Sequence, residues 1–386
     1  MTTATPVDPA RECARGLAPA GEAERVPLQE LRGRRLAADL VAHLDLPEAP
    51  VSAMDGWAVR AVDTPGALRT AGESAAGSPA GIDLGAGQAV RISTGARLPA
   101  GADAVVRLED VRTDDGLVTV PAVPAGHDVR AAGCEFRAGA LVLPAGTTLS
   151  AHDVGLIAGL GHADAACARR VRVAVVASGD ELVAPGTPHR PGMVWDSNRP
   201  MLDALIRAAG ACVHGSVRVA DDPDAVRGAI RDALTSGADV VMTLGGASVG
   251  PHDHVRRVLA QLGAVADVDG LRLRPGRPTW LGRVDGVPVL ALPGNPGAAL
   301  AVFCLVGRPL LGCDDAWPPV PLAAPATPHP SWERLVRCTL TAEGLVPHEE
   351  GRSSSQGARR VDAVARLSPG DAPLPCGTPI PAFLVT

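Results

Sequence analysis

The second half of the chain alternates between two patterns of apolar and polar positions. Short runs rich in β-branched residues predict buried strands at 171–176, 212–219, 239–244 and 287–292. Apolar residues at helical spacing predict helices at 198–209, 223–236, 253–262 and 298–311, the first of them capped by Asn198. Strands that alternate with helices in this way are typical of a parallel α/β sheet with helices on both faces.

The remaining segments have other patterns. Residues 1–24 lack periodicity, so we expect a frayed leader there, whereas 27–43 has a moderate helical pattern. From 46 to about 134, short β-branched runs separated by Gly, Pro and Asp predict a small all-β unit. One more helix and two more β-type runs complete the prediction, at 152–161, 335–340 and 380–385. The expected fold class is therefore multidomain α/β and β.

Three loops follow predicted strands of the α/β region, at 178–181, 245–250 and 293–296. Ligands of such sheets bind beyond the carboxyl ends of the strands, where these loops should meet. The loop 245–250 contains three glycines, which let a ligand approach the backbone amides closely. A glycine turn before a helix is a ready anion site, although it can also be a tight connection without a ligand.

Charged residues near these loops suggest which ligand they bind. Asp253 would repel a bare phosphate, but Mg²⁺ could bridge its carboxylate to phosphate oxygens. Asp180 and Glu181 can be read as a solvated turn or as part of a site. Arg272, Arg274 and Arg277 could form a cationic fork for an oxyanion or a solvated basic loop. Together the residues predict a phosphate-bearing ligand, a divalent cation and a second anion.

Composition excludes several classes of function. The net charge of −6 argues against a nucleic-acid surface, and no apolar run reaches the roughly 18 residues that a membrane span needs. No secretory signal is recognisable, so we expect a cytoplasmic protein. The eight cysteines include no C-x-x-C pair and should be free thiols. A G-x-G-x-x-G loop at a strand end is missing, which disfavours a dinucleotide oxidoreductase.

Seven motifs occur in a fixed order along the chain. They are Ser52-Ala53-Met54-Asp55-Gly56-Trp57-Ala58-Val59, the run from Thr94 to Val106, Ser178-Gly179-Asp180-Glu181-Leu182, Asp196-Ser197-Asn198, the loop from Gly245 to Gly250 with Asp253, Pro275-Gly276-Arg277-Pro278, and Leu292-Pro293-Gly294-Asn295-Pro296. The set resembles the molybdopterin molybdenumtransferases, whose animal relative is the C-terminal part of gephyrin. The resemblance is strong over 27–311 and weak over 312–386.

The resemblance implies a homodimer of four-domain subunits. These would be a discontinuous linking domain (1–44 and 136–170), an inserted β domain (45–135), an α/β molybdopterin-binding domain (171–312) and a C-terminal β-barrel (313–386). The implied reaction is magnesium-dependent: adenylylated molybdopterin and molybdate give molybdenum cofactor and AMP. The cleft would lie between the α/β domain of one subunit and the inserted β domain of the other. Other cofactor-biosynthesis proteins and molybdoenzymes are implied as partners.

The resemblance also implies roles for individual residues. Positions important for activity are matched by Asp55, Thr94, Glu181 and Asp253, of which Glu181 and Asp253 would bind the metal. Residues of the glycine loop would hold the pterin phosphate, and a second group would form the molybdate pocket: Gly245, Gly246, Ser248 and Gly250 for the phosphate, and Arg274, Arg277 and Pro278 for molybdate. The last motif adds cofactor-binding positions at Pro293, Asn295 and Pro296, and Arg337 matches a family arginine.

The chain departs from the family pattern in the anion pocket. Arginines stand at 274 and 277, where the family usually has lysines, and Gly297-Ala298 replaces a Val-Ser pair. The sequence contains no lysine, so all 36 basic side chains are arginine. A bias of this kind can change the residue without changing the chemistry, although the two side chains present their donors differently. The alternative is a diverged protein that binds molybdopterin or scaffolds cofactor transfer without catalysis.

Overall fold

The computed structural model describes residues 4–78, 81–188, 190–245, 254–313, 316–348 and 361–385. The chain forms two compact units, Ala23–Ala168 and Met1–Glu22 with Arg169–Thr386. The four domain boundaries expected from the resemblance stay predictions.

No helix within the described ranges is long and apolar enough to cross a membrane. The α-helices are α1 Val7–Gly16, α2 Ala151–Gly159, α3 Asn198–Ala208, α4 Pro223–Thr235, α5 Val255–Gln261, α6 Pro296–Val302 and α7 Arg308–Leu310.

The unit Ala23–Ala168 is built mainly of strands. They are β1 Ala23–Pro27, β2 Leu40–Val41, β3 Val51–Ser52, β4 Gly56–Val59, β5 Gly66–Ser74, β6 Gln88–Ile92, β7 Ala104–Arg107, β8 Arg112–Asp114, β9 Leu117–Val120, β10 Val129–Arg130, β11 Leu141–Leu143 and β12 Asp164–Ala168. Six of them form one sheet in the order β7-β4-β6-β5-β9-β8. The prediction of a β unit between 46 and 134 is confirmed.

The helix predicted at 27–43 is wrong. Leu28–Glu30 forms one 3-10 turn, and the chain then runs irregularly to β2. Gly33 has a φ of +75° and donates its N–H to the carbonyl of Leu149, which ends helical geometry there. The leucines that suggested a helix are nevertheless buried in one cluster with residues of α2 and β12. These leucines are therefore buried by packing against distant parts of the chain, although their spacing resembles that of a helix.

The second unit contains the α/β sheet and a C-terminal β sheet. Its strands are β13 Arg172–Ser178, β14 Leu182–Val183, β15 Val194–Trp195, β16 Cys212–Val219, β17 Val240–Leu244, β18 Val265–Asp269, β19 Leu273–Arg274, β20 Trp280–Val284, β21 Val287–Leu292, β22 Pro319–Pro321, β23 Glu333–Thr341, β24 Gly344–Pro347, β25 Ala363–Leu367 and β26 Pro379–Leu384. The first sheet has the order β16-β13-β17-β21-β20-β18. The first four strands are parallel, as predicted, and β20 and β18 add an antiparallel edge.

Helices cover both faces of this sheet. Side chains of β13, β17 and β21 alternate between two apolar clusters, as the twofold repeat of a strand requires. One cluster contains residues of α3 and α6, for example Leu202 and Val302. The other contains residues of α4 and α5, for example Ile230 and Val258. The predicted two-sided α/β architecture is therefore confirmed.

The described residues 4–24 do not form the expected frayed leader. Helix α1 packs against α7 and the π-helical segment before it, and buries Val7, Ala10 and Ala14. These residues have helical spacing, but their small side chains gave too weak an apolar signal to predict a helix.

The helix predicted at 298–311 is continuous but not uniform. A π-helical segment, Phe303–Gly307, connects α6 to α7. Pro309 has no backbone N–H to bond four residues back, which accounts for the local change of helical pitch.

The second sheet of this unit has the order β19-β23-β25-β26-β22, with β24 paired to β23. Strands β23 and β26 confirm the two C-terminal β predictions.

Candidate functional site

The loops after β13, β17 and β21 converge because these strands are neighbours in the sheet. Gly245 follows β17 directly and has a φ of +83°. A Cβ at Gly245 would lie only 2.9 Å from the carbonyl oxygen of Ser178, and a Cβ at Gly294 would lie 3.6 Å from the Cα of Gly245. The three strand ends thus approach one another through backbone atoms. The expected convergence of the strand ends is thus confirmed at these three described positions; we call Ser178, Gly245 and Gly294 the strand-end cradle.

Polar atoms without partners lie at this end of the sheet. Within the described ranges, Ser178 Oγ, Asn198 Oδ1 and Thr243 Oγ1 are buried and have no hydrogen-bond partner. Buried polar groups are normally paired, so these three atoms are available to a further hydrogen-bonding group. Asn198 does not cap α3, contrary to the prediction. Ser197 precedes the helix without a side-chain cap, and Asn198 Nδ2 instead donates to the carbonyl of Gly294 at 2.6 Å.

Glu181 lies at the same strand ends, with its carboxylate exposed. A Cβ at Gly179 would be 2.8 Å from Glu181 Oε2, so the side chain folds back over that glycine. Among the described residues the Glu181 carboxylate has no hydrogen-bond or ion-pair partner. Its neighbour Asp180 differs, because Asp180 Oδ1 accepts the backbone N–H of Asp221 at 3.0 Å. Glu181 is therefore available to a ligand, whereas Asp180 holds a turn.

The third loop connects β21 to α6. Asn295 caps the helix by accepting the backbone N–H groups of Gly297 and Ala298 at 3.0 and 3.3 Å, and Pro296 is the first helical residue. Pro293 is buried behind them. The Arg337 guanidinium comes from β23 and lies against this loop, because a Cβ at Gly297 would be 3.3 Å from its Cζ. A positive charge is thereby delivered to the loop from the C-terminal sheet.

A cleft of about 360 Å³ lies at the turn after β19. It is lined by Arg274, Arg277 and Pro278, together with Leu273, Pro275, Gly276, His329 and Trp332. Both arginines are exposed, and neither forms an ion pair with a carboxylate in the part of the chain that the structure describes. A Cβ at Gly276 would lie 2.8 Å from Val302 Cγ2, which requires glycine at this turn. The cleft is therefore cationic and rigidly backed.

Asp55 and Thr94 form a separate cluster in the unit Ala23–Ala168. Asp55 precedes β4 and Thr94 follows β6, and these strands pair antiparallel, which brings both residues to one edge of the sheet. Asp55 Oδ1 accepts the Thr94 backbone N–H at 2.7 Å and the Thr94 hydroxyl at 3.1 Å. Both residues are exposed. The two motifs far apart in sequence thus form one polar cluster.

Four of the predicted site residues belong to the glycine loop and the start of the helix predicted after it. Gly246, Ser248, Gly250 and Asp253 lie outside the described residues. Within the described ranges there is no group of three or more His, Cys, Asp or Glu side chains that could hold a metal. A metal held by protein and substrate oxygens together would not need such a group.

Sequence reasoning missed Thr243, Trp332 and His329. Thr243 lies within a buried apolar strand, where only its hydroxyl group distinguishes it from its neighbours. Trp332 and His329 lie at the end of a proline-rich stretch without periodicity, so no pattern connected them with the turn after β19. The parallel pairing of β19 with β23 brings them there.

An α/β sheet with converging strand ends, together with a cationic cleft, is typical of proteins that bind anionic ligands. Residues 5–161 match the family "MoeA N-terminal region (domain I and II)", and 174–312 match "probable molybdopterin binding domain". The chain is 39% identical over 302 residues to molybdopterin molybdenumtransferase 2 of Mycobacterium tuberculosis, covering 74% of each chain. It is 37% identical over 316 residues to the molybdopterin molybdenumtransferase of Nostoc sp., covering 78% of this chain and 72% of the relative.

A solved structure is similar to this chain over nearly its whole length. The molybdopterin biosynthesis MoeA protein of Pyrococcus horikoshii is 28% identical, with a TM-score of 0.85 and 99% of both chains covered. The chain belongs to the molybdopterin molybdenumtransferase family, enzymes of molybdenum cofactor biosynthesis. The resemblance inferred from the seven motifs is thereby confirmed.

Proposed function

We propose that this enzyme inserts molybdenum from molybdate into adenylylated molybdopterin and releases AMP in a magnesium-dependent reaction. The observation that carries the proposal is the close approach of three strand ends at Ser178, Gly245 and Gly294, where buried polar atoms lack a hydrogen-bond partner among the described residues. Backbone amides at such a place suit a phosphate. The cationic cleft on the same unit suits a second anion, for which molybdate is the substrate of this family.

The two anions are assigned to different groups of residues. Gly245, with Gly246, Ser248 and Gly250 as predicted partners, would hold the pterin phosphate. Arg274, Arg277 and Pro278 would hold molybdate, since guanidinium groups without carboxylate partners among the described residues are available to an oxyanion. Arg337 supports the arrangement, because its guanidinium lies against the loop of Pro293, Asn295 and Pro296. In this proposal the residues bind and orient two anions that would otherwise repel each other.

The residues at the strand ends fit Mg²⁺. Glu181 offers an exposed carboxylate without a described partner, which is the hard oxygen ligand that Mg²⁺ prefers. Asp253 is the second predicted ligand. When bound, the ion would supply positive charge to phosphate oxygens and so reduce the repulsion between the carboxylates and the substrate.

Asp55 and Thr94 belong to the proposal through a homodimer. The hydrogen-bonded pair presents a carboxylate and a hydroxyl on an exposed edge, as a residue pair offered to a partner subunit should. We propose that this edge completes the cleft of a second copy of the chain. We also propose that the enzyme works in the cytoplasm and exchanges cofactor with other biosynthesis proteins and molybdoenzymes.

Purified protein incubated with adenylylated molybdopterin, Mg²⁺ and molybdate tests the proposal. AMP release that requires both molybdate and Mg²⁺ is the expected result, and EDTA should abolish it. Binding of the pterin without AMP release would instead favour the diverged scaffold, which is motivated by the arginines at 274 and 277. If the pterin does not bind at all, the assignment of the strand-end cradle is wrong.

A further inference from the structure

Trp332 lines the cationic cleft and contacts one of its arginines. The Cζ atom of Arg277 lies 5.4 Å from the centre of the Trp332 ring, within the range of a cation–π contact. Trp332 is half-buried, whereas Arg277 is exposed. A long exposed arginine samples many rotamers, so a fixed aromatic face restricts where its guanidinium can lie.

The surroundings hold the indole in place. Strand β23 begins at Glu333, directly after Trp332, and pairs in parallel with β19, so that Leu273 is opposite Glu333. The carbonyl of Arg272 accepts the N–H of Glu333 at 3.2 Å. On the other side, the His329 ring meets the Trp332 ring edge-on, with centroids 6.4 Å apart and planes at 86°. The aromatic face is therefore part of a rigid wall.

The charges nearby leave the guanidinium free for an anion. Glu333, the carboxylate next to Trp332 in sequence, is bound by Arg366, which donates Nε at 2.5 Å and Nη2 at 3.2 Å. Arg277 itself has no ion-pair partner among the residues that the structure describes. Since a ring face satisfies no N–H group, the donors in the guanidinium plane remain available for bidentate hydrogen bonds to an oxyanion.

We propose that Trp332 is a positioning residue for the oxyanion substrate, acting through Arg277. This inference rests on the proposed function, since it takes the cationic cleft as the molybdate pocket. It explains how arginine serves at a position where lysine is usual in the family. A planar guanidinium can stack on the indole and still present its donors, whereas an ammonium group has no plane to stack. The C-terminal β sheet thus contributes to anion binding through an aromatic side chain as well as through Arg337.

A double-mutant cycle tests the inference, with molybdate binding measured by calorimetry on the full-length protein and the molybdate KM and kcat of AMP release measured in parallel. Trp332→Leu should weaken molybdate binding and raise its KM about two- to five-fold, the equivalent of one exposed cation–π contact, with kcat little changed. Trp332→Phe should recover part of the loss. In an Arg277→Ala background, Trp332→Leu should have no further effect on either quantity.

The chain supplies a matched control. Arg11 lies 5.5 Å from the ring centre of Trp317, a similar pair away from the cleft. Trp317→Leu removes a cation–π contact of similar distance and should leave molybdate affinity unchanged. Wild-type affinity in Trp332→Leu, or an equal loss with and without Arg277, would overturn the inference, and so would a wild-type protein that binds no molybdate. Molybdate binding that depends on Trp332 but is not followed by AMP release would support the inference and refute the proposed function. Normal turnover that Trp332→Leu leaves unchanged would support the proposed function and refute the inference.

Discussion

Gly245 provides a direct test of the strand-end cradle, because its conformation and its surroundings both exclude a side chain. Its φ is +83°, and a Cβ would lie 2.9 Å from the carbonyl oxygen of Ser178. A left-handed conformation costs an L-residue about 1 kcal/mol or more. Forcing a methyl group against a backbone atom adds roughly 1–3 kcal/mol. Gly245→Ala should therefore reduce the free energy of unfolding by roughly 2–4 kcal/mol and move the end of β17 away from β13.

The matched control is Gly263, which follows α5. Its φ is +74°, and within the described ranges no atom lies within 4 Å of a Cβ placed there. Gly263→Ala should cost only the conformational part, about 1 kcal/mol. Urea unfolding measures the difference between the variants. For the folded proteins, kcat/KM for adenylylated molybdopterin should fall roughly tenfold or more in Gly245→Ala alone, because a ligand displaced by a fraction of an ångström reacts more slowly. Equal losses of stability and activity in both variants would refute the reasoning.

Three other variants probe the metal, the anion and the sheet. Asp253→Asn should abolish AMP release without changing the urea midpoint, because the substitution keeps the size of the side chain and removes only the charge that a metal ligand needs; normal turnover would exclude a metal role. Gly297→Val should raise the molybdate KM severalfold, because a Cβ would lie 3.3 Å from the Cζ of Arg337; an unchanged KM would show that Arg337 does not support anion binding. Burial raises the pKa of Asp239, but hydrogen bonds from Arg169 and a backbone N–H outweigh burial and lower it to about 2. The ionised Asp239 carboxylate should therefore contribute about 2 kcal/mol to the free energy of unfolding above pH 4, and this contribution should be lost as the pH falls towards 2. Urea unfolding should show the free energy of unfolding of wild type approaching that of Asp239→Asn over this pH range.

The sheet could be predicted because its signals are local. A run such as Val240–Leu244 is buried on both faces and needs no knowledge of its partners to be recognised. Once β13, β17 and β21 are taken as parallel neighbours, the meeting of their carboxyl ends follows from topology. The strand-end cradle was therefore predictable as a place, and the ordered motifs predicted its ligand.

The errors concern features decided by distant residues. Asn198 has the right residue type for a helix cap, but it is the first residue of α3 and its amide bonds to Gly294, 96 residues away. The leucines of 27–43 are buried by contacts with β12 and α2 rather than by a helix of their own. Trp332 reaches the cleft only through the pairing of β19 with β23. None of these outcomes is encoded in a local window of sequence.

The departures from the family pattern are consistent with an adapted anion pocket. A guanidinium is larger and flatter than an ammonium group, so an arginine needs lateral room and benefits from a flat surface. Arg277 has that surface in Trp332. Arg337 has room because Gly297 lacks a side chain, whose Cβ would come within 3.3 Å of the guanidinium. Neither guanidinium has a carboxylate partner among the described residues, so each is available to an anion. These surroundings are therefore consistent with the proposed role of the arginines as oxyanion ligands in a chain without lysine.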